Sequence, residues 1–343
     1  MKLHHPHTPI VLAAFALTTA QAWAQDATAP VESAAAEPVV AAPAADAPAG
    51  VVISGFVDTS FSFTSVNSSK PTSVGFGIDQ VEIDISKAWD KVALRADIEG
   101  GADYSTGTGV GVYFNIEQGF LDYKPMDTLT LTFGRFLAPI GWELLDAPDM
   151  YQYSHADVFM YGVPFALTGA MVSFDPDGLF DGKLYVANGF DDWYEINNGK
   201  AVGTRLGFTF GDHNVGLSGL YNYGDVFIAD VDATLAFSGA KVGLEGNYGI
   251  YENATSEKWY GGLAMVNFGM TEKTAMTFRA DTFKDTSTGL RKGVADELYV
   301  RGTVSPSVVL ADGAGALIEY TATYMDIASA VDHLVALEVT YKF

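Results

Sequence analysis

The stretch Val92 to Glu99 reads VALRADIE, in which Val92, Leu94, Ala96 and Ile98 alternate with Arg95, Asp97 and Glu99. This is the period-two pattern of a β-strand with one apolar and one charged face. Three successive charges on one face do not fill a dry core without large desolvation costs. They suit a water-filled interior, with the apolar face turned outward to lipid. The same logic applies at the first strand, where Ile53, Val57, Thr59, Phe61 and Phe63 oppose Ser54, Asp58, Ser60 and Ser62.

After Val51 no apolar run approaches the roughly 20 residues with which a helix spans a bilayer, so any crossing must use strands. Hydrophobic period and turn residues predict about sixteen of them, among them 183–193, 295–304 and a last one at 331–343. Every second connection is tight, as at 89–91, 124–127, 211–214, 237–240 and 270–274. The intervening ones are longer on the whole, the arrangement of short periplasmic turns and longer outer loops. Asp225 to Ile228 is short for an outer loop and Ser305 to Gly313 long for a turn, so the expected register is weakest there.

The two ends carry other information. Residues 1–24 hold Lys2, the apolar run Ile10 to Thr18 and small residues Ala22 and Ala24, the pattern of a cleaved export signal. An uncleaved anchor is the other reading, though the run is short for one. Residues 25–50 are rich in Ala and Pro without an aromatic residue, the composition of a disordered leader. It spaces the barrel from the signal or reaches a wall or periplasmic partner. The barrel itself is expected over 51–343. At its end Val339, Tyr341 and Phe343 fall on the apolar face of the last strand.

A formal charge of −23 excludes a nucleic-acid partner, whose phosphates call for Lys and Arg. The absence of cysteine excludes disulfides and thiolate chemistry. No cofactor or metal is expected, because the loop carboxylates match no oxygen-ligand spacing. No enzyme is expected either: the mature chain offers His155, His213 and His333 without a Ser–His arrangement, and Ser154 and His155 point apart on a strand.

The segment TFGRFLAPIGWELLDAPDMYQYSHADVFMYGVPFALTGAMVSF resembles the OmpL-like β-barrel porin family. The resemblance rests on Gly134 and Arg135 at a strand end, then Gly141 and Glu143, then Pro164 and Gly169. SGFVDTSF at 54–61 and LDYKP at 121–125 are similar to that family's first hairpins. The resemblance implies a transmembrane antiparallel up-and-down barrel of the Gram-negative outer membrane, acting as a diffusion pore. It further implies that the terminal Phe343 is a signal to the barrel assembly machinery, with lipid as the outer partner and a homotrimer as one possible assembly. In sixteen-stranded porins the third outer loop folds into the lumen, and the longest connection here, Pro139 to Pro164, is the third.

These readings give a water-filled porin for small hydrophilic solutes or ions. Glu143, Asp146, Asp149, Asp157 and Arg135 are expected at the constriction, and from Phe136 to Gly182 there is no Lys or Arg, which predicts cation preference. Arg135 breaks parity with Leu129, Leu131 and Phe133; a bulge at Gly134 would turn it into the lumen, while regular pairing would leave it to snorkel. Glu82, Asp84, Arg95, Asp97, Glu99 and Glu117 are expected on the lumen wall. Two alternatives stand beside the inward loop and the pore: a surface lid, and a structural or adhesive barrel that anchors the leader.

Overall fold

Two-residue turns close most of the periplasmic connections, and each needs backbone that bends sharply. At Ser238–Gly239 the flanking Phe237 and Ala240 pair directly, and Gly239 adopts φ 77°, a left-handed conformation that glycine enters without a Cβ penalty. Gly313 does the same between the fourteenth and fifteenth strands with φ 74°. The computed structural model describes residues 50–66, 70–103, 111–176, 178–195, 198–252, 257–287 and 295–343. The expected export signal and, apart from Gly50, the expected leader lie outside the described residues.

Sixteen antiparallel strands form one closed barrel. The first eight are β1 (Val52–Val66), β2 (Lys70–Ala88), β3 (Val92–Asp103), β4 (Gly111–Met126), β5 (Leu129–Leu137), β6 (Ala166–Phe174), β7 (Phe180–Ala187) and β8 (Ala201–Phe210). The second eight are β9 (His213–Asn222), β10 (Val226–Phe237), β11 (Ala240–Tyr251), β12 (Lys258–Thr271), β13 (Thr274–Asp285), β14 (Leu298–Ala311), β15 (Ala314–Met325) and β16 (Ala330–Lys342). Each strand pairs with its sequence neighbours, and β16 closes on β1 through Thr59↔Val339 and Val57↔Tyr341. Phe343 and Gly55 exchange both backbone hydrogen bonds at 3.0 and 3.2 Å, so the final residue completes the seam. Closure removes every free strand edge, which lipid would leave without hydrogen-bond partners.

The alternation sorts as the charges require. On β3, Asp97 is fully buried toward the lumen while Leu94 and Ile98 are exposed outward. On β16, Glu338 is buried and Leu337, Val339 and Tyr341 face out, as Phe343 does beyond it. The outward apolar face answers to lipid and the inward polar face to water and to the third loop.

Two elements differ from the sequence expectation. Ser305 to Ala311 continues β14 rather than forming a long turn. Pro306 still pairs with Met276 of β13, while the ladder to β15 lapses between Val304 and Ser307, so the missing N–H of proline falls where bonding is already interrupted. The seventh strand ends at Ala187, short of the expected 193, because Asp191 turns with φ 57° and caps the start of β6. Its Oδ1 accepts hydrogen bonds from the backbone N–H groups of Phe165 and Ala166, both at 2.9 Å.

Candidate functional site

The third outer loop, 138–165, descends into the lumen instead of covering it. It carries a 3-10 turn (Ala147–Asp149) and a short helix α1 (Asp157–Gly162). At its base the Trp142 backbone N–H donates to Glu245 Oε2 of β11 at 2.9 Å, and the indole Nε1 donates to Thr234 Oγ1 of β10, also at 2.9 Å. Gly243 makes the seat, since a Cβ there would lie 2.1 Å from the indole. The 3-10 turn lies against β1 and β16, and α1 against β11, β12 and β13. Tyr153 Oη meets Ser60 Oγ of β1 at 3.3 Å. Burial pushes the Tyr151 and Tyr153 phenols up to about 12, which keeps both neutral over the physiological range.

A wall of paired charges on β13, β14 and β15 latches the descending half of the loop. Arg279 Nη1 donates to Glu143 Oε1 at 2.8 Å and to the Ser154 carbonyl, while its Nε donates to Asp281 at 3.0 Å. Arg301 pairs with Asp157 and donates to the His155 carbonyl at 2.8 Å. Glu319 accepts from Ser154 Oγ at 2.6 Å and from its N–H at 3.1 Å. The His155 ring stacks on Phe159 at 4.6 Å and donates from Nε2 to the Leu144 carbonyl at 2.9 Å. Burial pulls its imidazole below the ordinary histidine range.

The loop acids therefore divide. Glu143 and Asp157 are tied to arginines, Asp149 pairs with Lys342 near the periplasmic end, and Asp146 is buried. The denser negative charge lies further round the wall, on β2, β3 and β4. Carboxylate oxygens of Glu82, Asp84 and Asp97 lie within 4.8 Å of one another, as do those of Glu82, Glu99 and Glu117. Arg95 is interspersed among them, with Nε 2.7 Å from Asp97 and Nη2 4.0 Å from Asp84. Carboxylates gathered this closely concentrate cations beside them.

Arg135 borders this group but is not at the constriction. Gly134 pairs regularly with Phe120 and Gly169, without a register shift between it and Arg135, so Arg135 keeps the parity of Leu131 and Phe133. Its guanidinium sits under the fourth outer loop, 4.4 Å from the Trp193 ring, and donates to the carbonyls of Glu117 and Asp191 at 3.2 and 3.3 Å. Arg135 thus fastens the fourth loop over β5 and β6. The sequence expectation omits the roles of Trp142, Glu245 and Glu319; the run of glycines at inward positions of β11, Gly243 and Gly249, is the signal that a bulky ring sits against that wall.

Three solved outer-membrane proteins show how far the architecture is shared. The outer membrane channel DcaP of Acinetobacter baumannii superposes with a TM-score of 0.63 at 12% identity, covering 89% of this chain and 100% of that one. An anion-selective porin from Comamonas acidovorans gives 0.63 at 11% identity, covering 86% and 99%. In-vitro folded OmpT of Vibrio cholerae, in a trimer form, gives 0.60 at 14% identity, covering 86% and 99%. At these identities the likeness is one of fold. No curated protein sequence matches the chain. A family model described as "Putative beta-barrel porin-2, OmpL-like" matches residues 50–327, and the chain belongs to that family of outer-membrane porins.

Proposed function

We propose that the protein is a cation-preferring porin for passive diffusion of small hydrophilic solutes. The observation that carries this reading is the uneven lumen wall, with Glu82, Asp84, Asp97, Glu99 and Glu117 gathered on β2, β3 and β4 around Arg95. In a narrow aqueous path bounded by low-dielectric protein, charge of one sign concentrates counter-ions and repels co-ions. The filter then belongs to the wall more than to the loop, whose Glu143 and Asp157 are neutralised by Arg279 and Arg301. Anion selectivity is a property of the Comamonas porin by its own description, and the acidic wall argues for the opposite sign here.

The test is the reversal potential of the purified protein in a planar bilayer under a KCl gradient. A potential of the sign for K⁺ preference, shrinking toward 1 M salt where the screening length falls to about 3 Å, supports the reading. Anion preference rejects it, and a folded but silent barrel points instead to the structural or adhesive anchor. A homotrimer is part of the same proposal. Phe76, Phe114 and Val112 on the outer face of β2 and β4 are 89%, 83% and 74% exposed, well above Val339, Leu337, Tyr320 and Ile318 on β15 and β16 at 40%, 45%, 44% and 52%. Cross-linking in detergent, with and without Phe114→Ser, tests whether that face meets a second copy.

A further inference from the structure

A cavity of about 100 Å³ lies between the base of the third loop and the wall formed by β3 to β8. Its floor is apolar, built from Phe120, Phe136, Phe159 and Met171. Most charges that reach it are already engaged: Arg95 with Asp97, Arg205 with Asp232 at 2.5 and 2.8 Å, and Glu143 with Arg279. Two are not. Asp122 is 1% exposed and receives Thr132 Oγ1 at 2.5 Å on Oδ1, while its Oδ2 has no partner among the described residues. The Lys183 ammonium, on the other side of the cavity, makes no ion pair or hydrogen bond among the described residues, while its backbone carbonyl accepts from Thr204 Oγ1 at 2.9 Å.

A buried carboxylate oxygen without a donor is costly, and a cation in its place recovers that cost. The structure thus presents an acceptor for a positive group at one end and a donor for a negative group at the other. Their separation follows from the sheet. Asp122, Thr132, Met171 and Tyr185 form one row across β4 to β7, and Lys183 lies one inward position below Tyr185. Three strand steps of about 4.8 Å place Asp122 and Lys183 roughly 15 Å apart along the wall, before the side chains reach inward. Subtracting that reach leaves roughly 6–10 Å, the length of two or three extended residues at about 3.3–3.6 Å each. Between the two charges the wall carries Thr132, whose hydroxyl is spent on Asp122, and the buried, apolar Met171, with Phe136 lining the same cavity two inward positions above Thr132.

We infer that this cavity is a subsite for short zwitterionic peptides with apolar side chains, the terminal ammonium at Asp122 and the terminal carboxylate at Lys183. The inference rests on the pore reading, since it places the subsite beside the solute path. A free amino acid is too short to reach both charges, and an N-blocked, C-amidated peptide offers neither.

The experiment measures interruption of single-channel current by the dipeptide Leu-Leu and by its N-acetyl amide in the same membranes. The free dipeptide is expected to interrupt current at a concentration lower by about ten-fold or more, the size of one charge-assisted hydrogen bond. Asp122→Asn, which keeps an acceptor for Thr132, and Lys183→Gln should each raise the required concentration of the free dipeptide toward that of the blocked one. Heat-modifiable mobility establishes that each variant is folded. Equal interruption by both peptides in an open wild-type channel, or unchanged discrimination in both folded variants, overturns the subsite and leaves the pore reading in place. A folded wild-type barrel without conductance overturns both.

Discussion

Arg279 of β13 reaches Glu143 of the third loop at 2.8 Å, and both side chains are buried, so a strand and a loop 136 residues apart are joined by a shielded ion pair. The same guanidinium holds Asp281 and the Ser154 carbonyl. Removing one partner from such a pair leaves an uncompensated charge, at a cost of about 3–5 kcal/mol. Because the barrel ladder does not depend on it, that cost falls on the docked loop. Glu143→Leu is therefore expected to leave heat-modifiable barrel in the outer membrane while the channel fluctuates among conductance levels. Steady single-level openings equal to wild type would show that the pair does not hold the loop.

The placement of the acids predicts where selectivity resides. Replacing Glu82 and Glu117 with Gln should reduce the reversal potential under a KCl gradient more than Asp157→Asn does, because Asp157 is neutralised by Arg301 while the other two belong to the crowded wall. A larger loss in Asp157→Asn than in the wall variant would return the filter to the loop.

How much of this was legible in the sequence follows from what alternation encodes. Arg95, Asp97 and Glu99 announced a wet interior because side-chain period alone assigns a face. Alternation says nothing of which strands confront each other across the lumen, so the pairing of Glu143 with Arg279 and of Asp157 with Arg301 required the closed barrel. Turn chemistry misled at Ser305–Gly313, where a proline inside a strand resembles a turn until its neighbours show which ladder has lapsed. At Arg135 the choice between bulge and regular pairing depended on the fourth loop, whose Trp193 and Asp191 are more than fifty residues away in sequence.

The seam offers an assembly test. Phe343 exchanges backbone hydrogen bonds with Gly55, and its ring is exposed on the outer face with Tyr341 and Val339. Phe343→Asp keeps the backbone bonds and places a charge on a lipid-facing position, so outer-membrane levels should fall and unassembled protein appear in the periplasm. Normal accumulation of heat-modifiable Phe343→Asp would refute a role for the terminal ring in recognition by the assembly machinery.

The last prediction concerns acid. His155 lies in the third loop, outside the membrane-spanning strands, stacked on Phe159 with Nε2 bonded to the Leu144 carbonyl. Glu143 and Glu319 favour its protonation, Arg279 opposes it, and burial outweighs them, so the docked loop holds the imidazole below the ordinary histidine range near 6.5. Where the native pKa is depressed, the released loop binds a proton before the docked loop does. Docking is therefore insensitive to His155 above about pH 6.5 and weakens as pH falls below it, by up to about ten-fold per pH unit until the docked pKa is reached. His155→Gln retains a donor for Leu144 and does not titrate, so its loop should lose no docking between pH 7.5 and 5.5 on this account. The measurement is the rate of proteolytic cleavage within 138–165 of the folded protein, normalised to cleavage of a denatured control at each pH. A rate that climbs on acidification in wild type but stays level in His155→Gln is expected. Parallel profiles in the two proteins would assign any acid response to the carboxylates of the latch instead.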